Sequence, residues 1–476
     1  MMAGIFLIGA LVISLWLFFN RNTFINYALL ILYLALLWSL GIYEYHHLNV
    51  TELEFFTPDS LGILMLSAIC VVSIPAFYHG YRYIATGEET TPKSRGIFFA
   101  AMVLLISACS MAYLSNHIAV TWIFVEITTL SASALIYHHR NIRALEGTWK
   151  YVFLCAISIT FVYVGILFLS LSLKQAGVDD MSFGSLYQNS DKLNPFWLKL
   201  AFLFIFTGFT AKLGIVPMYT AGIDAKDKAP APVGALLSSV LMNLGFVAIY
   251  RVYAIVAHTP LHQWADTIMI ISAILSVFVA TVYMTRIKNI KRMFAYSGVE
   301  HMGLVMLGLS AGGIGVYAAI LHVISHTFIK PTLFFQYNQI YSVYQSKSIY
   351  DVGNYFKYNK AGALVVLLAF ISATAMPPSG LFVSEFLIFQ SLFEAHHIII
   401  LLTVLVLLTL LIWGFGSNTF KLLFTPPISI DETKIPRISP WESLSQYILL
   451  VLSVYVAYNP PDMLVTLIQN AVKLVQ

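Results

Sequence analysis

Charge is scarce in this sequence. Asp, Glu, Lys and Arg make up 10% of its 476 residues and 59% are hydrophobic, against about 25% charged residues in a soluble domain. Mean hydropathy is +0.82. That balance excludes a soluble globular chain and leaves an all-α membrane protein. Cysteine is nearly absent. Cys70, Cys109 and Cys155 stand alone in apolar runs, with no CxxC or Cys/His spacing, so iron–sulfur, structural zinc and disulfide frameworks are excluded. Long polar segments are missing as well. No connection runs much beyond about twenty residues, which leaves no soluble domain for a flavin or nucleotide. The net charge of +4 is mild and makes no case for nucleic acid. No cofactor and no resident metal are expected.

What is present is a succession of apolar runs. A bilayer core takes about 20 such residues per helix. Runs of this kind fall at 3–20, 24–43, 60–83, 96–115, 117–137, 151–173, 196–219, 231–256, 265–285, 294–311, 313–341, 361–394, 397–420 and 444–459. They predict about 14 transmembrane helices, the twelfth long enough to be broken. The first, MMAGIFLIGALVISLWLFFNRN, has no basic n-region or A-x-A site and reads as a spanning helix rather than a signal peptide. GGIGVYAA at 312–319 follows a helix rather than a strand, so its glycines read as helix packing, not a nucleotide loop.

Lys and Arg divide unevenly among the connections. The odd-numbered ones hold 19 of the 26 basic residues, Lys226 and Lys228 among them; the even ones hold only Lys174 and Lys192. By the positive-inside rule the odd connections are cytoplasmic, and both termini lie on the non-cytoplasmic side. Arg251 falls near the outer end of the eighth span, while Lys212 and Lys330 fall inside spans.

An ionisable group at bilayer depth costs about 2.5–3.5 kcal/mol on insertion scales and marks a functional position by default. Glu126 lies mid-span in TWIFVEITTLSASAL, too deep to snorkel; a packing carboxylate bonded to Ser or Thr is the plain alternative. Lys212 lies in FTGFTAKLGIVPMYTAG, where Gly208, Gly214 and Pro217 interrupt the helix. A broken helix bearing a charge is the pattern of a transporter site. In HVISHTFIK, His322, His326 and Lys330 are four apart and stack on one helix face. A haem or metal between the two histidines is disfavoured, because the lysine one turn on repels a cation. Glu385 lies in ATAMPPSGLFVSEFLIF, within two turns of Pro377, Pro378 and Gly380. Predicted spans 7 and 12 are both interrupted and five apart, the signature of inverted repeats. The expected layout is helices 1–3 over 1–95, repeats of helices 4–8 over 96–257 and 9–13 over 265–422, and a final helix in 440–476.

In order, FVEITTLSASAL, KYVFL, AKLGIVP, DAKDKAPAPVGALL, NIKRMFAYSGVEHMG, HVISHTFIKPTLFF and MPPSGLFVSEF occupy about residues 115–390. This ordered set resembles the antiporter-like subunits of respiratory complex I and of multisubunit cation/proton antiporters. The nearest branch is similar to the F-type subunit of hydrogenase-4 and formate hydrogenlyase complexes. The resemblance implies that a glutamate, here Glu126, pairs with a lysine, here Lys212, and that lysines and histidines then carry protons across the membrane plane. Those roles fall on Lys330, His322 and His326, with Glu385 as the terminal group. The sequence departs from the pattern at two places. In LMNLG, Asn243 stands where many relatives have Lys. In PMYTAGIDAK, Tyr219, Ala221, Gly222, Ile223 and Lys226 replace the residues of Pro-x-His-x-Trp-Leu-Pro-Asp-Ala-His, and Asp224 is kept. Asn243 cannot carry a proton charge but can hold a water.

The implied role is a proton-translocating subunit of a membrane-bound hydrogenase or complex I relative, not an enzyme alone. Its partners are other membrane and redox subunits, in the inner (cytoplasmic) membrane of the cell. A sodium/proton antiporter module and a membrane partner in inorganic-carbon uptake are the alternatives. Thr128, Thr129, Ser131 and Ser133 near Glu126 leave sodium open.

Overall fold

A computed structural model describes residues 1–86, 91–427, 430 and 432–476. Its elements are helices, in order α1 (Met2–Phe19), α2 (Thr23–His46), α3 (Ser60–Thr86), α4 (Pro92–Leu114), α5 (Ile118–Ile136), α6 (Ile142–Ala176), α7 (Phe183–Gln188), α8 (Pro195–Leu213), α9 (Thr220–Lys228), α10 (Ala231–Ser238), α11 (Val240–Ala257) and α12 (His262–Thr285). They continue as α13 (Ile290–Ala311), α14 (Ile314–Tyr344), α15 (Tyr355–Tyr358), α16 (Lys360–Ala373), α17 (Gly380–Glu394), α18 (Ile398–Phe424), α19 (Leu444–Tyr458) and α20 (Asp462–Val472). The protein is an all-α polytopic membrane protein. Among the described residues, 11 helices are by themselves long and apolar enough to cross a bilayer. The remaining predicted spans hold the more charged α13, the broken pair α16 and α17, and the short α19.

Two patterns of apolarity separate lipid-facing helices from enclosed ones. On α1 the residues Ala3, Phe6, Ala10, Ile13 and Leu17 are buried at helical spacing, while Ile5, Ile8, Leu11 and Leu15 are equally apolar and exposed. Lipid, not water, is the solvent that tolerates such an outer face. α18 exposes Leu402, Val406, Leu410 and Trp413 in the same way. By contrast the apolar windows of Ala231–Ala257 and of Ile314–Tyr344 are wholly buried.

The chain forms two compact units. Unit 1 comprises Met1–Val233, Val240–Ile268 and Met463–Gln476; unit 2 comprises Gly234–Ser239 and Met269–Asp462. In unit 1 the C-terminal segment docks on α11, where Tyr250 Oη donates to the Ala471 carbonyl at 2.8 Å. In unit 2, α14 packs against α13, α16, α17 and α19.

Each unit has an interrupted span at positions that Gly and Pro mark in the sequence. α8 stops because Gly214 takes φ +84° and Pro217 follows, and the chain re-enters helix at Thr220. α16 stops before Pro377 and Pro378, and the Ser379 side chain caps α17 by accepting from Phe382 N at 3.2 Å.

One close approach seats the first break. A Cβ on Gly245 would fall 2.3 Å from Leu213 N and 2.7 Å from its Cα, so only glycine lets α11 rest on the end of α8. Backbone cannot give way as a flexible side chain does. Gly245→Ala is therefore expected to lower stability by about 1–3 kcal/mol, read as an earlier unfolding midpoint in detergent.

The structure adds two features to the sequence reading. Residues 220–228, expected as part of a cytoplasmic connection, form helix α9 with Lys226 and Asp227 buried. Its three-to-four spacing of Ala221, Ala225 and neighbours is helical, but Lys226 and Asp227 hide that face from a hydropathy window. Arg251, near the outer end of the eighth span, is 1% exposed and bonded to Asp59 and to three backbone carbonyls.

Candidate functional site

In unit 1 the charge sits at the end of α8. Lys212 occupies the last turn before the break and is 5% exposed. Its Nζ donates to Thr129 Oγ1 at 2.8 Å, Tyr151 Oη at 3.3 Å and Thr128 Oγ1 at 3.4 Å. The Tyr151 ring centroid lies 5.4 Å from Nζ, near enough for a cation–π contribution. Three neutral oxygens and a ring thus solvate this ammonium. Glu126 precedes Thr129 by three residues on α5, on an adjoining face one turn away. Among the described residues no carboxylate reaches Lys212 within 4.0 Å, and Glu126 Oε2 is buried without a hydrogen-bond partner. The implied Glu126–Lys212 pair is therefore not closed in this structure. Asn243, on α11 two residues before Gly245, is 1% exposed.

In unit 2, α13, α14 and α17 bring six further ionisable groups together. His322 Nδ1 lies 3.0 Å from Ser384 Oγ, and His322 Nε2 lies 3.2 Å from His301 Nδ1. His301 Nδ1 also lies 3.5 Å from Glu300 Oε2 and 3.7 Å from Glu385 Oε1. The His326 ring centroid is 5.3 Å from that of His301. Lys330, one turn beyond His326, donates to Ser297 Oγ and to the Phe294 carbonyl at 3.4 Å. His301, His322, His326 and Lys330 are 0% exposed, Glu300 is 2% exposed and Glu385 7%.

This geometry has a definite chemistry. Two imidazole nitrogens 3.2 Å apart can hold one proton between them, so the tautomer of one ring sets that of the other. Two carboxylates flank the same nitrogen, in a medium where unneutralised charge is costly. The group must therefore gain and lose protons as a unit, with no step owned by one residue. Donor atoms of His301, His322 and Glu385 lie within 4.8 Å of one another, a set that a divalent ion could use. Lys330 on the same helix opposes such an ion, so proton exchange is the chemistry these residues serve best.

Of the residues singled out in the sequence, His322, His326, Lys330 and Glu385 meet in one place, and Glu126 lies one helical turn from Thr129, which Lys212 bonds. Glu300 and His301 were missed although they carry the same signal, adjacent ionisable residues inside the apolar span 294–311. Tyr151 gave no signal, since an aromatic in a membrane helix is ordinary. Because His301 is the common neighbour of His322, Glu300 and Glu385, His301→Ala is expected to cut proton transport by about 100-fold. Dye-monitored acidification of vesicles carrying the assembled complex checks it.

The site lies in a region that known proteins share. The family model described as NADH:quinone oxidoreductase/Mrp antiporter, TM matches residues 115–411, a range that holds every site residue named above. A hydrogenase-4 component F homolog of Methylacidiphilum infernorum is 26% identical over 418 residues, covering 86% of each chain. An NADH-quinone oxidoreductase subunit N of Halorhodospira halophila is 26% identical over 362 residues, 74% of this chain and 72% of that one. In fold, a chain of the Mrp complex from Dietzia sp. superposes with TM-score 0.86 at 15% identity, over 100% of this chain and 97% of that one. A chain of an archaeal membrane-bound sulfane sulfur reductase gives 0.85 at 19% identity, over 99% and 97%. These neighbours are subunits of multisubunit membrane complexes. With the model covering well over half its length, the chain belongs to the NADH:quinone oxidoreductase/Mrp antiporter transmembrane family.

Proposed function

We propose that this chain is a proton-translocating, non-redox membrane subunit of a multisubunit redox complex of the membrane-bound hydrogenase or complex I type. The observation that carries the reading is the buried His301, His322, Glu300 and Glu385 group with Lys330 beside it. Such residues are expensive in a membrane and suit reversible proton binding. Lys212 supplies a second exchangeable proton. Closing Glu126 onto Lys212 would hold that proton and opening would favour its release, because a carboxylate stabilises an ammonium in low dielectric. The electrons must come from partner subunits, consistent with the hydrogenase-4 and NADH-quinone oxidoreductase names of its relatives. The same reading includes the inner membrane, termini on the non-cytoplasmic side and two inverted five-helix repeats over 96–257 and 265–422, for which the broken spans five apart speak.

Sodium is the second reading. The hydroxyls that could have helped hold it, on Thr128 and Thr129, already solvate the Lys212 ammonium, which favours the proton. The test is transport by the purified complex in proteoliposomes, with and without sodium. Acidification that persists in sodium-free buffer, with no ²²Na⁺ uptake, is the expected result; transport that needs sodium overturns it. Inorganic-carbon uptake predicts instead that no redox subunit co-purifies.

A further inference from the structure

Lys226 is a second buried lysine of unit 1 that the site described above does not use. It lies on α9 and is 2% exposed. Its Nζ donates to Met242 Sδ at 3.1 Å, a weak acceptor. Among the described residues it has no carboxylate partner, although Asp227 beside it is equally buried; Asp227 Oδ2 pairs with Lys228 Nζ at 3.0 Å. An ammonium placed permanently against a thioether, with an anion next door committed elsewhere, is poor structural design. A lysine that spends part of its time as a neutral amine fits that setting, because lysine is the cation that burial discharges most readily.

Position points the same way. Met242 immediately precedes Asn243, a residue that cannot carry a proton charge. The one turn of α11 from Met242 to Gly245 touches both lysine segments. Met242 Sδ meets Lys226, Met242 Cε lies 3.2 Å from where a Cβ on Gly214 would be, and Gly245 lies against the Lys212–Leu213 backbone. Asn243 sits on that turn. The other ionisable groups of the neighbourhood are Asp224, Asp227 and Lys228 on α9, Lys212 on α8, and Glu146, Lys150 and Tyr151 on α6, which packs against α9.

We propose that Lys226 is a proton carrier of unit 1, supplying from α9 the exchangeable ammonium that Asn243 cannot supply from α11. In the step, an N–H bond of the Lys226 ammonium breaks, Nζ keeps the electron pair as a neutral amine, and the proton passes, by way of the polar Asn243 turn, to a neutral Lys212 amine. The reverse transfer recharges Lys226. This rests on the proton-translocating reading above.

The experiment is proton uptake by proteoliposomes holding the assembled complex, with assembly and electron transfer measured on the same samples. Lys226→Met is expected to lose transport by about 10-fold or more. Lys226→Arg keeps the charge and should assemble normally, yet lose as much, because a guanidinium does not give up its proton. Lys226→His should retain transport with its pH optimum moved toward acid, since imidazole titrates lower than an amine. Adding Asn243→Lys to Lys226→Met should bring transport back to within about twofold of the wild type, because a carrier is restored. The proposal is overturned if Lys226→Arg or Lys226→Met transports like wild type, or if neither Lys226→His nor the double variant recovers while assembly is normal. Wild-type complex that moves no protons overturns the function itself; wild-type transport with an indifferent Lys226 overturns this inference alone.

Discussion

Lys212→Met abolishes proton translocation and leaves the complex assembled and able to transfer electrons: that is the expected result, with a loss of at least about 100-fold. Methionine keeps the unbranched stem and its packing but cannot bind a proton. The three oxygens now facing Nζ, from Thr128, Thr129 and Tyr151, are hydroxyls that can rotate to bond one another or nearby carbonyls, so the neutral variant leaves no stranded charge. Lys212→Arg separates charge from exchange. The guanidinium keeps the cation but not its release, and it should transport no better than methionine. Glu126→Gln should be intermediate, because Glu126 forms no ion pair with Lys212 in this structure and, on the proposed reading, would act on it only when the pair closes. Initial rates of vesicle acidification, normalised to the amount of assembled complex, check all three.

Arg251→Met is expected to have the largest effect on stability, about 3–5 kcal/mol. Arg251 is 1% exposed, and its Nε and Nη2 donate to the two carboxylate oxygens of Asp59 at 3.1 and 2.9 Å. The remaining donors reach the carbonyls of Tyr113 at 2.6 Å, Ser115 at 2.8 Å and Ala112 at 3.4 Å. Since α4 ends at Leu114, the guanidinium caps carbonyls that the helix can no longer satisfy. Removing it strands both a carboxylate and a helix terminus. Asp59→Asn alone should cost less, and the double variant less than the sum of the two, because the second change removes a charge already unpaired. Thermal unfolding in detergent measures this; an unshifted midpoint for Arg251→Met would mean the clamp contributes nothing.

Much of the architecture was legible because the bilayer imposes simple rules. Apolar runs gave the helices, and Gly214, Pro217, Pro377 and Pro378 gave the two breaks, since both residue types act on the backbone whatever surrounds them. Lys212, Lys330, His322 and His326 stood out because charge is rare at that depth. What was not legible depends on partners far apart in sequence. Nothing in TWIFVEITTLSASAL says that Thr128 and Thr129, rather than Glu126, would face Lys212; that is settled by how α5 is rotated against α8. Arg251 finds Asp59 across 192 positions. Glu300 and His301 were passed over for a different reason: within a recognisable motif they counted as pattern rather than as two more charges in a span. α9 was hidden because its buried residues include Lys226 and Asp227, which hydropathy scores as solvent-facing.

The central claim is that this chain couples its partners' electron flow to proton movement through buried exchangeable groups. The ratio of protons translocated to electrons transferred, measured in proteoliposomes holding the complete complex, tests it most directly. With Lys212→Met or Lys330→Met the account predicts that electrons still flow and the ratio falls sharply below that of the wild type. A ratio unchanged in both variants, at normal assembly, would contradict it.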